Sequence, residues 1–287
     1  MQFGLDYGLS NAGGRTAEAE VRRVLETAAR CGMTVLDTAA LYGESESVLG
    51  KTLPANRSFR IVTKTPRFGR ATITSDDARE LEQTFGRSLQ KLGRGSVYGL
   101  LAHHADDLLA ERGNLLYEKM RDLKERFFIE KIGVSIYRSE QIDGILDRYA
   151  IDLIQLPVNV LDQRLITSGH LRKLKRAGVE VHARSAFLQG LLLMDPEGLP
   201  AYFEPIRDHL RGYQMTLRDL GLSPVEAAIG FVAGLPEVDV VVCGVNDHVQ
   251  LEEICRGYRE LDGAPFRRFG IADEEMLDPS KWQVNQA

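Results

Sequence analysis

Val97-Tyr98-Gly99-Leu100-Leu101-Ala102 runs without a charge and ends on His103-His104. A strand with one solvated face alternates apolar and polar residues, whereas this one has the pattern of a parallel strand buried on both faces. The same pattern recurs outward in both directions. TVLD at 34–37 and FRIVTK at 59–64 precede it. KIGVS at 131–135, IDLIQL at 151–156, VEVHAR at 179–184 and VDVVVCG at 238–244 follow it. Longer amphipathic stretches stand between these runs. Residues 16–30 carry Val21, Val24, Leu25 and Ala28 at helical spacing. Residues 75–92 open on Ser-Asp-Asp and set Leu81, Phe85, Ser88, Leu89 and Leu92 on one face. Residues 161–177 end in basic residues followed by Gly178, a helix stop. Ser223-Pro224 opens another helix, and residues 247–255 form the last one.

Repeated strand–helix alternation implies parallel strands joined by right-handed crossovers. An open doubly wound sheet and a closed barrel both satisfy that. No glycine-rich phosphate loop follows any strand: residues 4–14 lack the G-x-G-x-x-G spacing, and Gly93 and Gly95 precede a strand. The expected fold is therefore an α/β (β/α)8 TIM barrel. No linker or low-complexity tract divides the 287 residues, so residues 1–287 read as a single domain.

Lysine and arginine number 36 against 41 aspartates and glutamates, a formal charge of −5. That balance argues against coating nucleic acid or an anionic membrane. No apolar run approaches the ~20 residues of a membrane span, and residues 1–14 show no signal pattern. Cys31, Cys243 and Cys255 are odd in number and form no metal-spaced pair, so reduced thiols in a cytoplasmic protein are expected.

In a barrel, reactive side chains gather at the carboxyl ends of strands. Those positions hold Asp37, then Tyr42 five residues on, Lys64, the pair His103-His104, Ser135, Gln155 and Arg184-Ser185. Each alone has a plain structural explanation: an Asp after a strand caps helices, a terminal Lys is solvated, and a His pair lacking a third ligand is no zinc site. An acid, a phenol, an amine and an imidazole on one barrel face make a set. Lys64 beside Asp37 forms an ion pair, and an ammonium near a phenol favours phenolate. Tyr42 can then give a proton to an oxygen that becomes negative while His103 orients it. With no serine or cysteine nucleophile placed, a hydride from a bound cofactor is the natural partner.

Leu36-Asp37-Thr38-Ala39-Ala40-Leu41-Tyr42-Gly43-Glu44-Ser45-Glu46, followed by Leu49-Gly50, resembles the signature of the aldo-keto reductases. The likeness continues through Thr63-Lys64, Leu100–His103, Gly133-Val134-Ser135 and Gln155-x-Pro157-x-Asn159. The resemblance implies a catalytic tetrad of Asp37, Tyr42, Lys64 and His103, with Tyr42 as acid or base and His104 second choice for the imidazole. It also implies NADP(H), with NAD(H) as the alternative, bound extended across the barrel mouth. By position, Ser135 and Gln155 would hold the nicotinamide amide. Arg184, Ser185, Phe187, Gln189 and Gly190 would pack on nicotinamide and pyrophosphate. Gly244, Asn246, Gln250 and Glu253 would line the adenosine end, where the last helix's N-terminus suits a phosphate. No metal is implied.

The chain also departs from the family. Ile136 stands where many relatives carry Asn, and Arg184 where many carry an aromatic residue. Asn246, Asp247 and Gln250 replace the basic residues that commonly grip a 2′-phosphate, with His248 or Arg256 as possible substitutes. Substrate specificity would come from loops at 67–73, 105–113 and 191–203. Their few aromatics favour a polar carbonyl such as a sugar, in the manner of a bacterial branch tied to sugar metabolism, and Arg67, Arg70 and Arg138 could face an acidic substrate. The expected activity is reduction of an aldehyde, ketone or aldose, or its reverse. The alternatives are a cofactor-binding sensor with little turnover and a metal-dependent lyase using His103-His104. Oligomeric state is unreadable. Only seven strands are found, so the eighth must precede the first helix. Met1-Gln2-Phe3-Gly4 leaves little room for it, and a stunted or missing first strand is expected.

Overall fold

The computed structural model describes Phe3, residues 14–54 and residues 59–282. Among the described residues, seven parallel strands follow one another in space as in sequence: β1 (Val35–Asp37), β2 (Arg60–Lys64), β3 (Val97–Ala102), β4 (Ile129–Ser135), β5 (Leu153–Pro157), β6 (Glu180–Arg184) and β7 (Val240–Val241). Helices fill the connections. The first half contributes α1 (Glu18–Arg30), α2 (Ser45–Thr52), α3 (Ser75–Leu92), α4 (Ala105–Leu109), α5 (Asn114–Glu125) and α6 (Ser139–Leu146). The second adds α7 (Arg164–Thr167), α8 (His170–Arg176), α9 (Arg207–Leu220), α10 (Pro224–Ala233) and α11 (His248–Gly257).

Two hydrogen bonds show that this sheet curls. In a flat sheet β1 and β5 would lie four strand spacings, roughly 19 Å, apart. Yet Gln155 Nε2 on β5 donates to Asp37 Oδ1 on β1 over 2.7 Å. Likewise the Tyr98 hydroxyl on β3 donates to Glu180 Oε2 on β6 over 2.7 Å. Side chains from non-neighbouring strands meet only where a sheet wraps its own axis, as the barrel expectation requires. All six residues of β3 are buried, as its unbroken apolar run demands. The expected stunted first strand falls on residues 1–4, of which only Phe3, a buried core residue, is described.

Local signals place most helices. Thr74, one residue ahead of the expected start, caps α3 in a reciprocal box with Asp77, and Gly93 ends it at φ 62°. Ser223 caps α10 in a box with Glu226, and Asp247 caps α11. The single helix expected over 161–177 is instead two. Asn159 Oδ1 accepts from Leu161 N and Asp162 N, holding a turn open, and Gly169 at φ +79° separates α7 from α8. The strand expected over 238–244 shrinks to Val240–Val241, half-buried and paired only with β6 among the described strands.

One expectation is overturned outright. Cys31 and Cys255 are not separate thiols but form a disulfide, Cα–Cα 6.2 Å, joining the end of α1 to α11 across 224 residues of chain. Among the described residues no helix is long and apolar enough to cross a membrane. Among them, too, no group of three or more His, Cys, Asp or Glu is placed to hold a metal ion.

Candidate active site

Because the strands are parallel, their carboxyl ends share one face, here called the mouth. Asp37 ends β1 and Lys64 ends β2, two strands in direct register. Lys64 is 2% exposed, and its ammonium donates to Asp37 Oδ1 and Oδ2 at 2.7 Å each and to the Thr38 carbonyl at 2.9 Å. Its three donors are thereby used. Burial pushes the Lys64 amine down from its ordinary value, and Asp37 opposes the shift without cancelling it. Burial would raise the Asp37 carboxyl, but the Lys64 charge and the hydrogen bonds from Lys64 and Gln155 hold it below the usual carboxylate range.

Tyr42 stands on the turn after β1, with Gly43 at φ 55° completing it. Three residues of the signature stretch anchor this turn. The Thr38 and Ser45 hydroxyls meet at 3.1 Å, and buried Glu46 accepts from the Thr63 hydroxyl at 2.7 Å, tying α2 to β2. Gly50 lets α2 seat on the end of α3, since a Cβ there would sit 2.0 Å from the Lys91 carbonyl oxygen. The outcome is a half-buried phenol ring 5.2 Å from Lys64 Nζ.

His103 follows β3 and meets the Tyr42 ring edge-on, centroids 5.7 Å apart. Its backbone N–H donates to the Thr65 hydroxyl, a contact no sequence pattern signals. Burial, then the Lys64 charge, push the imidazole down to about 3, so it is neutral. Its Nδ1 is buried and has no hydrogen-bond partner among the described residues. An orphaned polar atom of this kind costs free energy unless a ligand or water meets it. The four expected tetrad residues are thus brought together.

Beyond His103 the mouth has a wall of three residues, of which the sequence signalled His104 and Arg184 but not Tyr137. His104 stacks on His103 at 5.0 Å, and Tyr137, 38% exposed, stacks on His104 at 6.3 Å. Arg184 closes the row with its guanidinium 4.3 Å over the Tyr137 ring, donating to the Ile136 carbonyl and the Ser185 hydroxyl. A cavity of about 540 Å³ opens past Tyr137, bordered by Arg138, Pro157, Arg164 and Arg267.

Ser135, which ends β4, and Gln155, midway along β5, are buried and paired in register. Ser185, Leu188, Gln189 and Gly190 all have positive φ, from 45° to 96°. Three of these are non-glycine residues, each costing ~1–3 kcal/mol in that conformation, and such strain clusters at ligand clamps. Asn159 stabilises the run by donating to the Ser185 carbonyl. Phe187 is half-buried and packs, as Val241, Cys243 and Val245 do, against the buried cluster of Val225, Ile229 and Ile254.

The far end of the expected cofactor track differs from expectation. Gly244 is exposed, and Gln250 and Glu253 lie exposed on α11. Several donors at the α11 N-terminus are already engaged. Glu20 accepts from the His248 backbone and ring, Asp247 from Gln250 N, and the Gln250 side chain from Asn246 N. Glu20 is held down at about 2: desolvation works against this, and the hydrogen bonds from His248 and Arg23 outweigh it. Arg256 bonds the Glu252 carbonyl on its own helix. The helix end expected to receive a phosphate therefore presents carboxylates.

The Aldo/keto reductase family matches residues 1–268. Among solved structures, the aldo-keto reductase AKR11C1 from Bacillus halodurans is similar in its holo form. It is 22% identical with TM-score 0.75, covering 96% of this chain and 95% of that one. Its apo form gives 22% and 0.73 over 96% and 94%. The PA4992 protein of Pseudomonas aeruginosa is 20% identical with TM-score 0.64 over 89% and 86%. No curated protein matches. The chain belongs to the aldo/keto reductase family: it is an oxidoreductase with the (β/α)8 barrel fold, of a family that reduces carbonyls with nicotinamide cofactors.

Proposed function

We propose that this aldo/keto reductase, working as one barrel domain, reduces the carbonyl of a small aldehyde, ketone or aldose at the mouth formed by Asp37, Tyr42, Lys64 and His103. The supporting observation is the buried Asp37–Lys64 pair with the Tyr42 ring 5.2 Å from its ammonium and His103 against the ring edge. A reduced nicotinamide, when bound, supplies the hydride. Tyr42 delivers the proton to the oxygen as it gains charge, and recovers it from solvent. Lys64 stays charged because Asp37 balances it, and its field stabilises the phenolate left behind. Neutral His103 can donate from one ring nitrogen and accept at the other, which suits holding a carbonyl oxygen without competing for the proton.

The nicotinamide end of the site fits such a cofactor: His103 Nδ1 is orphaned there, and the strained run lies beside it. Ser135 and Gln155 would hold the amide there, with Arg184, Ser185, Phe187, Gln189 and Gly190 along the nicotinamide and pyrophosphate. At the adenosine end, residues Gly244, Asn246, Gln250 and Glu253 are flanked by Glu20 and Asp247. Family membership favours NADP(H). These carboxylates oppose a 2′-phosphate and suit the hydroxyls of NAD(H). The cytoplasmic location expected from the cysteine count stands against the Cys31–Cys255 disulfide, a bond that persists in oxidising media.

Titration with NADH and NADPH followed by a panel of carbonyls tests the reading. Saturable binding of one cofactor and its oxidation by members of the panel is the expected result. Tight binding with no oxidation by any member would replace catalysis with a sensing role.

A further inference from the structure

Helices α1 and α11 lie side by side and run the same way. Near their N-termini, Glu20 accepts from the His248 backbone at 2.8 Å and from its ring at 2.6 Å, and the Thr16 hydroxyl donates to the Asn246 carbonyl at 3.1 Å. Towards their C-termini, Arg30 meets Glu252 at 2.9 Å. There the disulfide joins Cys31, which caps α1, to Cys255 in the last turn of α11.

These ties differ in durability. Arg30 is exposed and Glu252 partly so, and an ion pair in water adds little. The Arg259–Glu226 pair just past α11 is no better shielded. Leu251 and Ile254 are the buried apolar side chains of α11, a narrow face to seat it. At the C-terminal end of α11 the disulfide is therefore the strongest tie. It is also within reach of solvent: Cys31 is exposed and Cys255 half-buried. Their Cα–Cα separation of 6.2 Å is ordinary for a disulfide, so the bond closes where the helices already lie. Burial pushes the thiol of the third cysteine, Cys243, up to about 12, so it stays protonated and does not exchange with the pair. Helix α11 and the turn before it carry Asn246, Gln250 and Glu253, assigned above to the adenosine end, and Glu253 stands two residues before Cys255. A ten-residue helix is a rod of roughly 15 Å, and holding both of its ends fixes the residues along it.

We propose that Cys31–Cys255 is a reversible redox switch on cofactor binding. The closed bond holds α11 where it receives the adenosine end of a nicotinamide cofactor, and reduction frees the C-terminal end of α11 and lowers cofactor affinity. This rests on the cofactor placement proposed above and adds its regulation. The reductant is a dithiol. One of its thiolates attacks the exposed Cys31 sulfur, the S–S bond breaks, and Cys255 leaves as a thiolate that takes a proton. The second thiol then displaces Cys31 from the mixed disulfide. Two electrons and two protons pass from the dithiol, which ends as a disulfide, to the two cysteines.

The test compares the wild-type protein after copper-catalysed air oxidation and after reduction by dithiothreitol. Thiols are counted on denatured samples, and affinity for NADH and NADPH is read from nicotinamide fluorescence with no carbonyl present. One thiol per chain is expected in the oxidised sample and three in the reduced one. The reduced protein should bind its preferred cofactor about fivefold or more weakly, the lower end of ordinary coupling between two sites. Cys31→Ser and Cys255→Ser should show the weaker affinity in both media and no response to dithiothreitol. Equal affinity in the two wild-type states would overturn the switch and leave the bond as a cross-link for stability alone. Three thiols after oxidation would overturn it as well. Binding of neither cofactor in either state would overturn the switch together with the cofactor placement on which it rests.

Discussion

The same four kinds of side chain meet twice in this barrel, once at each end. The mouth holds Asp37, Tyr42, Lys64 and His103. The floor, where the strands begin, holds Glu180, Tyr98, Lys131 and His182. In the floor, Glu180 gathers all three partners. It accepts from the Tyr98 hydroxyl at 2.7 Å, pairs with Lys131, and meets His182 Nε2 at 2.6 Å. Lys131 and Arg60 also lie over the Tyr98 ring. The floor phenol is raised, by burial and by its bond to Glu180. The floor amine is raised too, Glu180 and Tyr98 outweighing the effect of burial. Both groups are locked in their protonated forms, as a structural network would have them. In the mouth the amine is lowered, the imidazole is neutral with an orphaned nitrogen, and the phenol lies against a buried ammonium. Residue types do not distinguish these quartets. Which partner each proton is committed to does.

Breaking the amine at each end sharpens the contrast most. Lys64→Met leaves Asp37 buried and uncompensated, so a loss of about 3–5 kcal/mol is expected together with loss of turnover. Lys131→Met removes a partly exposed partner from a carboxylate that keeps Tyr98 and His182. Its cost should be well below that of Lys64→Met, and turnover should persist. Urea unfolding and steady-state rates on the two variants check this. Equal stability losses would erase the distinction between the ends.

Acid separates the quartets next. The unfolded His103 imidazole takes its proton near pH 6.5 and the folded one only near 3. Between those values the unfolded state binds more protons, so stability falls as pH drops through that window. Glu180 is held down at about 2, where its partners outweigh burial, so its contribution is lost lower, from about pH 4.5 towards 2. Each slope is at most about 1.4 kcal/mol per pH unit. His103→Gln should flatten the upper window and Glu180→Gln the lower one, as read from chemical denaturation across pH. An unaltered slope between pH 6 and 4 in His103→Gln would contradict the buried, neutral assignment.

The smallest effect belongs to Tyr98→Phe. It deletes one hydrogen bond to a charged group, a loss of about 1.5–3 kcal/mol, with turnover unchanged. A collapse in rate would show the floor to be part of the chemistry.

Much of this was readable in the chain. Seven apolar runs identified the strands, and their terminal polar residues identified the mouth, because burial on both faces leaves strand ends as the places for polar groups. Thr38, Ser45, Glu46 and Gly50 stood in the signature stretch, although only the structure shows that they hold the Tyr42 turn in place. The floor was invisible, since Tyr98, Lys131 and Glu180 lie in the first halves of three different strands and meet only when the sheet closes. Tyr137 gave no local signal for the same reason. The Cys31–Cys255 pair could not be inferred from a spacing of 224 residues. Nor could Asn159 and Gly169 be seen to split one amphipathic stretch into two helices. Charge on the arginines was legible, but its neutralisation by Asp77 at Arg70 and by Asp106 at Arg138 was not.

The contrast between the ends comes down to one phenol. Mixing cofactor-loaded protein with a carbonyl under single-turnover conditions, in wild type and in Tyr42→Phe, isolates it. Tyr42→Phe should bind the reduced nicotinamide within about twofold of wild type and oxidise it about 10²–10⁴ times more slowly. Oxidation at the wild-type rate would contradict the assignment of the proton to Tyr42.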